Sequence, residues 1–406
     1  MTADVDDAQA WRPLVRRALT LVETPCYIMS AASVDTAVAE LRAHLGSLPH
    51  RHWLSVKTQP VRALLELWRD WQFGAEVVSG FELAAAMSTG FPPDRILANG
   101  TGKQRWLARG DLHGLHVHFD SLTEVRALAT VCRKQRWAVG LRCQVPDQID
   151  PNHPDRPDHF GMTADEVCAA AAHLRAHGVG DMGVHFHLHT NVASSGPFTR
   201  ALAYLRGVCD RAGLEPSYVD VGGGLPVPGE RSLSTQVSTC EAFDASEWAA
   251  AVATVPALFP TAREIWLENG RFLTARAGVL IVTVVDRKER GDTVYYICDG
   301  GRTNHARMAA FEQHALFVDP SLDGPSRPSV VCGPTCASID QLGEYLLPDT
   351  IRIGDRLVWM NAGAYAIPLE TRFSSGLAPV VWHDLDGSLR VVRARETAQQ
   401  WWGQWT

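Results

Sequence analysis

Lys57 stands at the end of the apolar run HWLSVKTQP (52–60), and it is one of only four lysines, with Lys103, Lys134 and Lys288. The rest of the 38 basic residues are arginines. Arginine serves surface charge and bidentate anion binding, whereas only lysine can shed its proton and act as a nucleophilic amine. A lysine kept at a strand end is either solvated or chemically employed, and its surroundings decide which.

Three further stretches carry chemistry. SYVDVGGG (217–224) ends in Gly222, Gly223 and Gly224, whose bare N–H groups can crowd a phosphate, although a glycine run can also be only a turn. In GVHFHLHTN, strand alternation puts His185, His187 and His189 on one face. Such histidines can share a metal ion, lie against a flat ligand, or be hydrogen-bonded core residues. No cluster elsewhere in the sequence clearly completes a metal set, so the flat ligand ranks above the metal. LENGRFL brings Glu268 close to Arg271. They can form a plain ion pair, or the carboxylate can meet a pyridinium nitrogen while the guanidinium meets a phosphate. A reactive lysine, a glycine nest, an imidazole and this pair together describe a pyridoxal phosphate site, with no metal.

Something must hold these residues at one place. Eight apolar segments read as strands: 52–58, 75–79, 95–100, 115–120, 138–145, 182–189, 217–224 and 264–270. Between them lie runs with apolar residues three and four apart, such as PVRALLELWRDW and TRALAYLRGVCDRAG. Strands alternating with helices over this length predict an α/β fold, a (β/α)8 TIM barrel spanning 33–271. Barrel enzymes work at the C-terminal ends of their strands, which is where Lys57, Glu76, Arg142, His187, the glycines and Glu268 fall. DQIDPNHPDRPDHFGM, after the fifth strand, reads as a loop at that rim. Beyond Phe272 the texture turns β-branched. VLIVTVVDRKERGDTVYYICDG and APVVWHDLDGSLRVVRA each read as strand, turn, strand, and IRIGDRLVWMNAGAY as another strand pair. Residues 272–406, with 1–32 and its strand-like PCYIMS, are expected to form a mostly β domain.

Composition sets bounds. With 406 residues, two domains are expected. A net charge of −7 without a basic patch argues against nucleic acid. The acidic start MTADVDDAQA and the lack of a long apolar run predict a cytoplasmic protein with no membrane span. Nine cysteines without CxxC pairs are expected to stay reduced.

In order and spacing, SVKTQP, GAEVVSGFELAAA, HFDSLTEV, GLRCQV, HFGM, VHFHLHTN, DVGGGLP, LENGRFL, CDGG, CGPTCASID and GAYAIPLETRF resemble the barrel-type (fold type III) pyridoxal-phosphate decarboxylases of the ornithine, lysine and diaminopimelate family. The resemblance implies that Lys57 is the Schiff-base lysine and His187 the imidazole on the cofactor ring. Glu268 would pair with the pyridine nitrogen, and Glu76 would lie near the lysine. Gly222, Gly223, Gly224, Arg271, Thr190 and Tyr365 would surround the phosphate, with Arg142 beside the ring. Cys336 would protonate the product from the other subunit of a homodimer with shared active sites; taken alone it reads as an inert thiol, and Tyr365 as a packed aromatic.

Departures from the family pattern concern the substrate. Ala337 follows Cys336 where relatives carry an acid for the distal amine. Arg307 matches an arginine that grips a distal carboxylate, while Glu312 stands where the diamine branch has an acid. His189 replaces a glycine, and His159 a common lysine. The expected function is decarboxylation of an amino acid or amino-acid conjugate, of the kind used in siderophore or antibiotic assembly. Diaminopimelate, ornithine or lysine decarboxylation is the alternative. An amino-acid racemase, a metal-dependent hydrolase on HFHLH and a non-catalytic cofactor carrier are the remaining classes.

Overall fold

The computed structural model describes residues 5–108, 111–146, 148 and 149, 159–192, 194–233, 238–240, 243–308 and 310–406. Most of the proposed rim loop, 150–158 included, lies outside the described residues. The chain divides into two compact units, one of 39–226 and 242–270, the other of 1–38, 227–241 and 271–406.

The first unit is a closed parallel barrel of eight strands: His50–Ser55, Gly74–Val77, Ile96–Ala98, His116–Phe119, Ala138–Arg142, Met182–His185, Tyr218–Asp220 and Glu264–Leu267. The last closes on the first with Ile265 opposite His50. Helix starts after the strands are written locally. Ser79, Ser121 and Thr163 each accept the N–H three residues on, from Glu82, Glu124 and Glu166. Those glutamates reach back to the N–H groups of Val78, Asp120 and Thr163, which satisfies donors a helix end leaves open. Glu124 also takes the buried Lys103 ammonium at 2.7 Å.

The barrel floor is aromatic. Trp53, Leu97, Tyr218 and Trp266 form one buried cluster, in which the Tyr218 and Trp266 rings stack 3.5 Å apart at 12°. Glycines make room for it. A Cβ on Gly74 would sit 2.1 Å from Trp53, and one on Gly183 2.2 Å from Tyr218.

Each strand is shorter than its apolar run. Lys57 lies on a 3-10 turn, Val56–Thr58, directly beyond the first strand, closed by Thr58 Oγ1 on the Ser55 carbonyl at 2.7 Å. The sixth strand ends at His185, so His187 and His189 lie beyond the ladder and share no strand face with it. At the mouth the ladders stop pairing while the apolar sequence continues, because the loops there are buried too.

The second unit is mostly sheet. Its main path runs Gln341–Pro348, Ser326–Cys332, Thr293–Cys298, Gly278–Arg290, Cys26–Ser30, Val380–His383, Leu389–Arg393, and Arg356–Trp359 branches from it to pair with both Gly278–Arg290 and Leu316–Asp319. Both expected hairpins form, and PCYIMS supplies the strand that pairs antiparallel with Gly278–Arg290 and parallel with Val380–His383. IRIGDRLVWMNAGAY yields one strand, Arg356–Trp359, rather than a pair. A helix, Val5–Ala18, covers the sheet with Trp11 and Val15 against Ile28, Ile281, Phe317 and Val381. Residues 227–241 group with this unit through Glu230–Ser232, which pairs with Glu312–His314.

Candidate active site

At the barrel mouth the Lys57 amine lies 3.8 Å from Glu76 Oε1, with the lysine side chain 48% exposed and the glutamate buried. Ser55 Oγ donates to the other oxygen of Glu76. Burial raises the Glu76 carboxyl to about 7, with Lys57 opposing. The turn after the first strand thus sets an amine against a carboxyl that trades its proton near neutrality.

Glu268, on the segment after the eighth strand, is the centre of a buried polar group. Asn99 Nδ2 donates to its Oε1 at 2.7 Å. His118 Nδ1 lies 3.5 Å from Oε1 and His185 Nε2 lies 3.4 Å from Oε2. His118 Nε2 is 3.1 Å from the Tyr218 hydroxyl, whose pKa burial raises well above its usual value. The carboxylate beside Nδ1 can only accept, so the hydrogen of a neutral His118 ring sits on Nδ1 and Nε2 accepts from the phenol. Burial lowers both imidazoles, His118 to about 3. Burial also works to raise Glu268, but His185 and His118 outweigh it and hold the carboxyl well below the ordinary range. Asp220, whose Oδ1 accepts the Gly222 N–H at 2.8 Å, is pushed the other way by burial and by Glu268. Of two neighbouring acids, Glu268 keeps the charge and Asp220 the proton.

The glycine run packs where no side chain fits. A Cβ on Gly222 would lie 2.7 Å from His187 Nδ1, one on Gly223 2.5 Å from the Glu268 carbonyl, and one on Gly224 2.1 Å from the His189 carbonyl. Gly222 and Gly224 have φ of +69° and +85°. Gly223 N–H donates to His187 Nδ1 at 3.2 Å. This fixes the His187 ring hydrogen on Nε2, and burial with Arg142 nearby keeps the ring neutral. His189 turns back to donate from Nδ1 to the Thr190 carbonyl at 2.9 Å, and Thr190 itself is exposed. Arg142 is buried, 3.3 Å from Asp120 and over the Phe160 ring.

The second unit holds a group of its own. Buried Arg271 gives Nη1 to Glu230 at 2.7 Å and lies 3.2 Å from Glu312. Its Nε and Nη2 find no hydrogen-bond partner among the described residues. Glu312 takes the Arg307 fork at 3.0 and 3.1 Å and lies 3.1 Å from His314 Nε2. Arg271, then His314, outweighs burial and holds Glu312 well below the carboxylate range. Tyr365, in the left-handed region at φ +63°, lies under both guanidiniums at 5.2 and 5.3 Å. Cys336 is exposed and in no disulfide, and Ala337 follows it directly.

A family profile described as pyridoxal-dependent decarboxylase, pyridoxal binding domain, matches residues 31–275. The chain belongs to this family. It is a pyridoxal-phosphate-dependent amino-acid decarboxylase. Diaminopimelate decarboxylase of Archaeoglobus fulgidus is 27% identical over 365 residues, 86% of this chain and 85% of that protein. The L-glutamyl-[BtrI acyl-carrier protein] decarboxylase of Niallia circulans is 25% identical over 401 residues, 93% and 92% of the two chains. The solved diaminopimelate decarboxylase of Helicobacter pylori, complexed with L-lysine, shares the fold with a TM-score of 0.82 at 22% identity, over 96% of this chain and 98% of that one. No helix among the described residues is long and apolar enough to cross a membrane.

The decarboxylase's own residues fit pyridoxal phosphate. In the barrel Glu76 Oε1 is buried without a hydrogen-bond partner among the described residues, and the glycine segment lies so close to His187, Glu268 and His189 that it admits no side chain; in the second unit Arg271 Nε and Nη2 are likewise buried without a partner among the described residues. The sequence pointed to Lys57, His187, Glu268 and the glycines, but Asn99, His118 and Tyr218 escaped it. The clue to His118 was HVHF, a second strand with alternating histidines. Among the described residues, the metal-capable grouping in the barrel is His118, His185 and Glu268 rather than the three histidines of one stretch. A second such group, Glu230, Glu312 and His314, already holds the Arg271 cation.

Proposed function

We propose that this decarboxylase removes the α-carboxylate of an amino acid whose far end carries no free charge, as in a conjugate, and not of free diaminopimelate, ornithine or lysine. The observation that carries this reading is the closure of the Arg307 fork on Glu312. Arg307 is the residue that would grip a distal carboxylate, and Glu312 the one that would meet a distal ammonium. Each spends its charge on the other. Ala337 offers a distal amine nothing. The Niallia relative's name, an L-glutamyl group on an acyl-carrier protein, is one instance of an amino acid with an end engaged.

When bound, pyridoxal phosphate supplies the electron sink for loss of CO₂. Lys57 contributes the amine that anchors the cofactor, and Glu76 takes or returns its proton. Glu268, ionised and steadied by Asn99, His118 and His185, is the carboxylate that would keep a proton on a pyridine nitrogen. Neutral His187 offers a flat face. Gly222, Gly223 and Gly224 keep the phosphate place the resemblance gives them, with the N–H groups of Gly222 and Gly223 spent on Asp220 and His187, and Arg271 keeps the phosphate role the resemblance gives it. Thr190, Tyr365 and Arg142 keep the supporting places the resemblance gives them. Cys336 of the partner subunit returns a proton to the product carbon in a cytoplasmic homodimer.

Incubating the holoenzyme with free amino acids and side-chain conjugates, and reading loss of CO₂ by mass spectrometry, tests the substrate class. Turnover confined to conjugates is expected. Rapid CO₂ release from free diaminopimelate, ornithine or lysine would overturn the reading and favour the activity in the Archaeoglobus relative's name. Glu312→Gln, which frees the Arg307 fork, is expected to raise kcat/KM for substrates with a distal carboxylate by about tenfold or more.

A further inference from the structure

The opposite end of the barrel carries a second concentration of charge that the reaction does not use. A cleft of about 460 Å³ opens at the N-terminal ends of the first two strands, a size within the range of small-molecule sites. Arg42, Arg51, Arg95, His50 and His52 line it, against a single carboxylate, Asp94. Arg51 is already paired, 3.1 Å from Glu264. Arg42 lies over the Phe73 ring at 4.9 Å, and Arg95 donates to the Arg69 carbonyl at 2.8 Å. Neither forms an ion pair with a carboxylate among the described residues. His52 is 1% exposed, yet both of its ring nitrogens lack a hydrogen-bond partner among the described residues. Its neighbours are the edge-on rings of His50, at 5.0 Å, and Phe73, at 5.3 Å. Two unpaired guanidiniums beside a buried, unsatisfied imidazole form a cavity short of negative charge and of acceptors.

We propose that this cleft binds a compact oxyanion, a phosphate or carboxylate group on a small molecule, with Arg42 and Arg95 as charge partners and His52 as a hydrogen-bonding wall. Trp71 and Phe73 close the cleft and give an apolar flank to the body of such a molecule. The reading is independent of the decarboxylation site.

The test is isothermal titration of the holoenzyme, its cofactor in place, with inorganic phosphate and separately with citrate, against sodium chloride at matched ionic strength. Saturable heat from phosphate, citrate or both is expected, and which of them binds identifies the oxyanion. Arg42→Gln and Arg95→Gln should each weaken that binding by about tenfold while leaving the cofactor absorbance unchanged. His52→Phe should weaken it also. Should His52→Phe fail to fold, the two arginine variants still decide the matter, since Arg42 is exposed and Arg95 only half-buried. Absence of saturable heat with both anions, or equal affinity in wild type and both arginine variants, overturns the proposal.

Discussion

A carboxyl held near neutrality beneath an amine makes the barrel's stability depend on pH in a defined direction. In the unfolded chain Glu76 loses its proton near the ordinary 4.5, and in the folded protein only near 7. Between those values the folded state keeps a proton that the unfolded state has lost, so this contribution is full below 4.5 and is lost as pH rises through 7. It amounts to about 3 kcal/mol at most. Urea denaturation from pH 5 to 8 should show that slope, and Glu76→Gln should remove it. His118 invites a different measurement. His118→Phe keeps the ring volume but deletes the N–H beside Glu268, and loss of a donor to a charged group costs about 1.5–3 kcal/mol. A fall of roughly ten- to hundredfold in kcat is expected, with an altered pH titration of the cofactor absorbance; unchanged spectra would show a structural role alone. Lys57→Ala should abolish the borohydride-sensitive yellow colour and cut turnover more than about a thousandfold. Lys57, Glu268 and His187 were legible because their types are rare or paired in the sequence. Asn99 and Tyr218 were not, since each is ordinary alone and gains its part only when barrel closure brings strands three, four, seven and eight around Glu268.

Alternation of strand and helix signals was enough to read the barrel, yet not the strand ends. MGVHFHLH keeps its period two through residue 189, while the ladder stops at His185; alternation reports burial, and the loops at the mouth are buried as well. The same gap separates Lys57 from the strand that precedes it. Glycine placement tests the mouth as an element. In Gly224→Ala the new methyl would meet the His189 carbonyl at 2.1 Å on a backbone of φ +85°, so the loop must move. The variant should lose cofactor on gel filtration and melt several degrees lower. Gly207→Ala, on the helix Gly196–Ala212 with nothing within 4 Å, should melt at or above wild type.

For the whole chain, the sequence reading expects a barrel domain of 33–271 and a β domain of 1–32 with 272–406, while the compact units divide at 38/39, 226/227, 241/242 and 270/271. It did not foresee that 227–241 leaves the barrel's unit, because the strand that captures Glu230–Ser232 lies some eighty residues downstream. The proposed homodimer has a direct test. Neither Lys57→Ala nor Cys336→Ala homodimers should turn over well, but co-refolding the two should restore about a quarter of wild-type activity, since half the dimers are mixed and each has one intact site under two-fold sharing. No restoration would show that each subunit works alone. Lys103 adds a practical consequence. Burying it against Glu124 withdraws one of four lysines from solution, so acylating reagents meet only Lys57, Lys134, Lys288 and the α-amine, and a peptide map of their labelling doubles as an occupancy gauge for the barrel mouth, free of the background that lysine-rich surfaces impose.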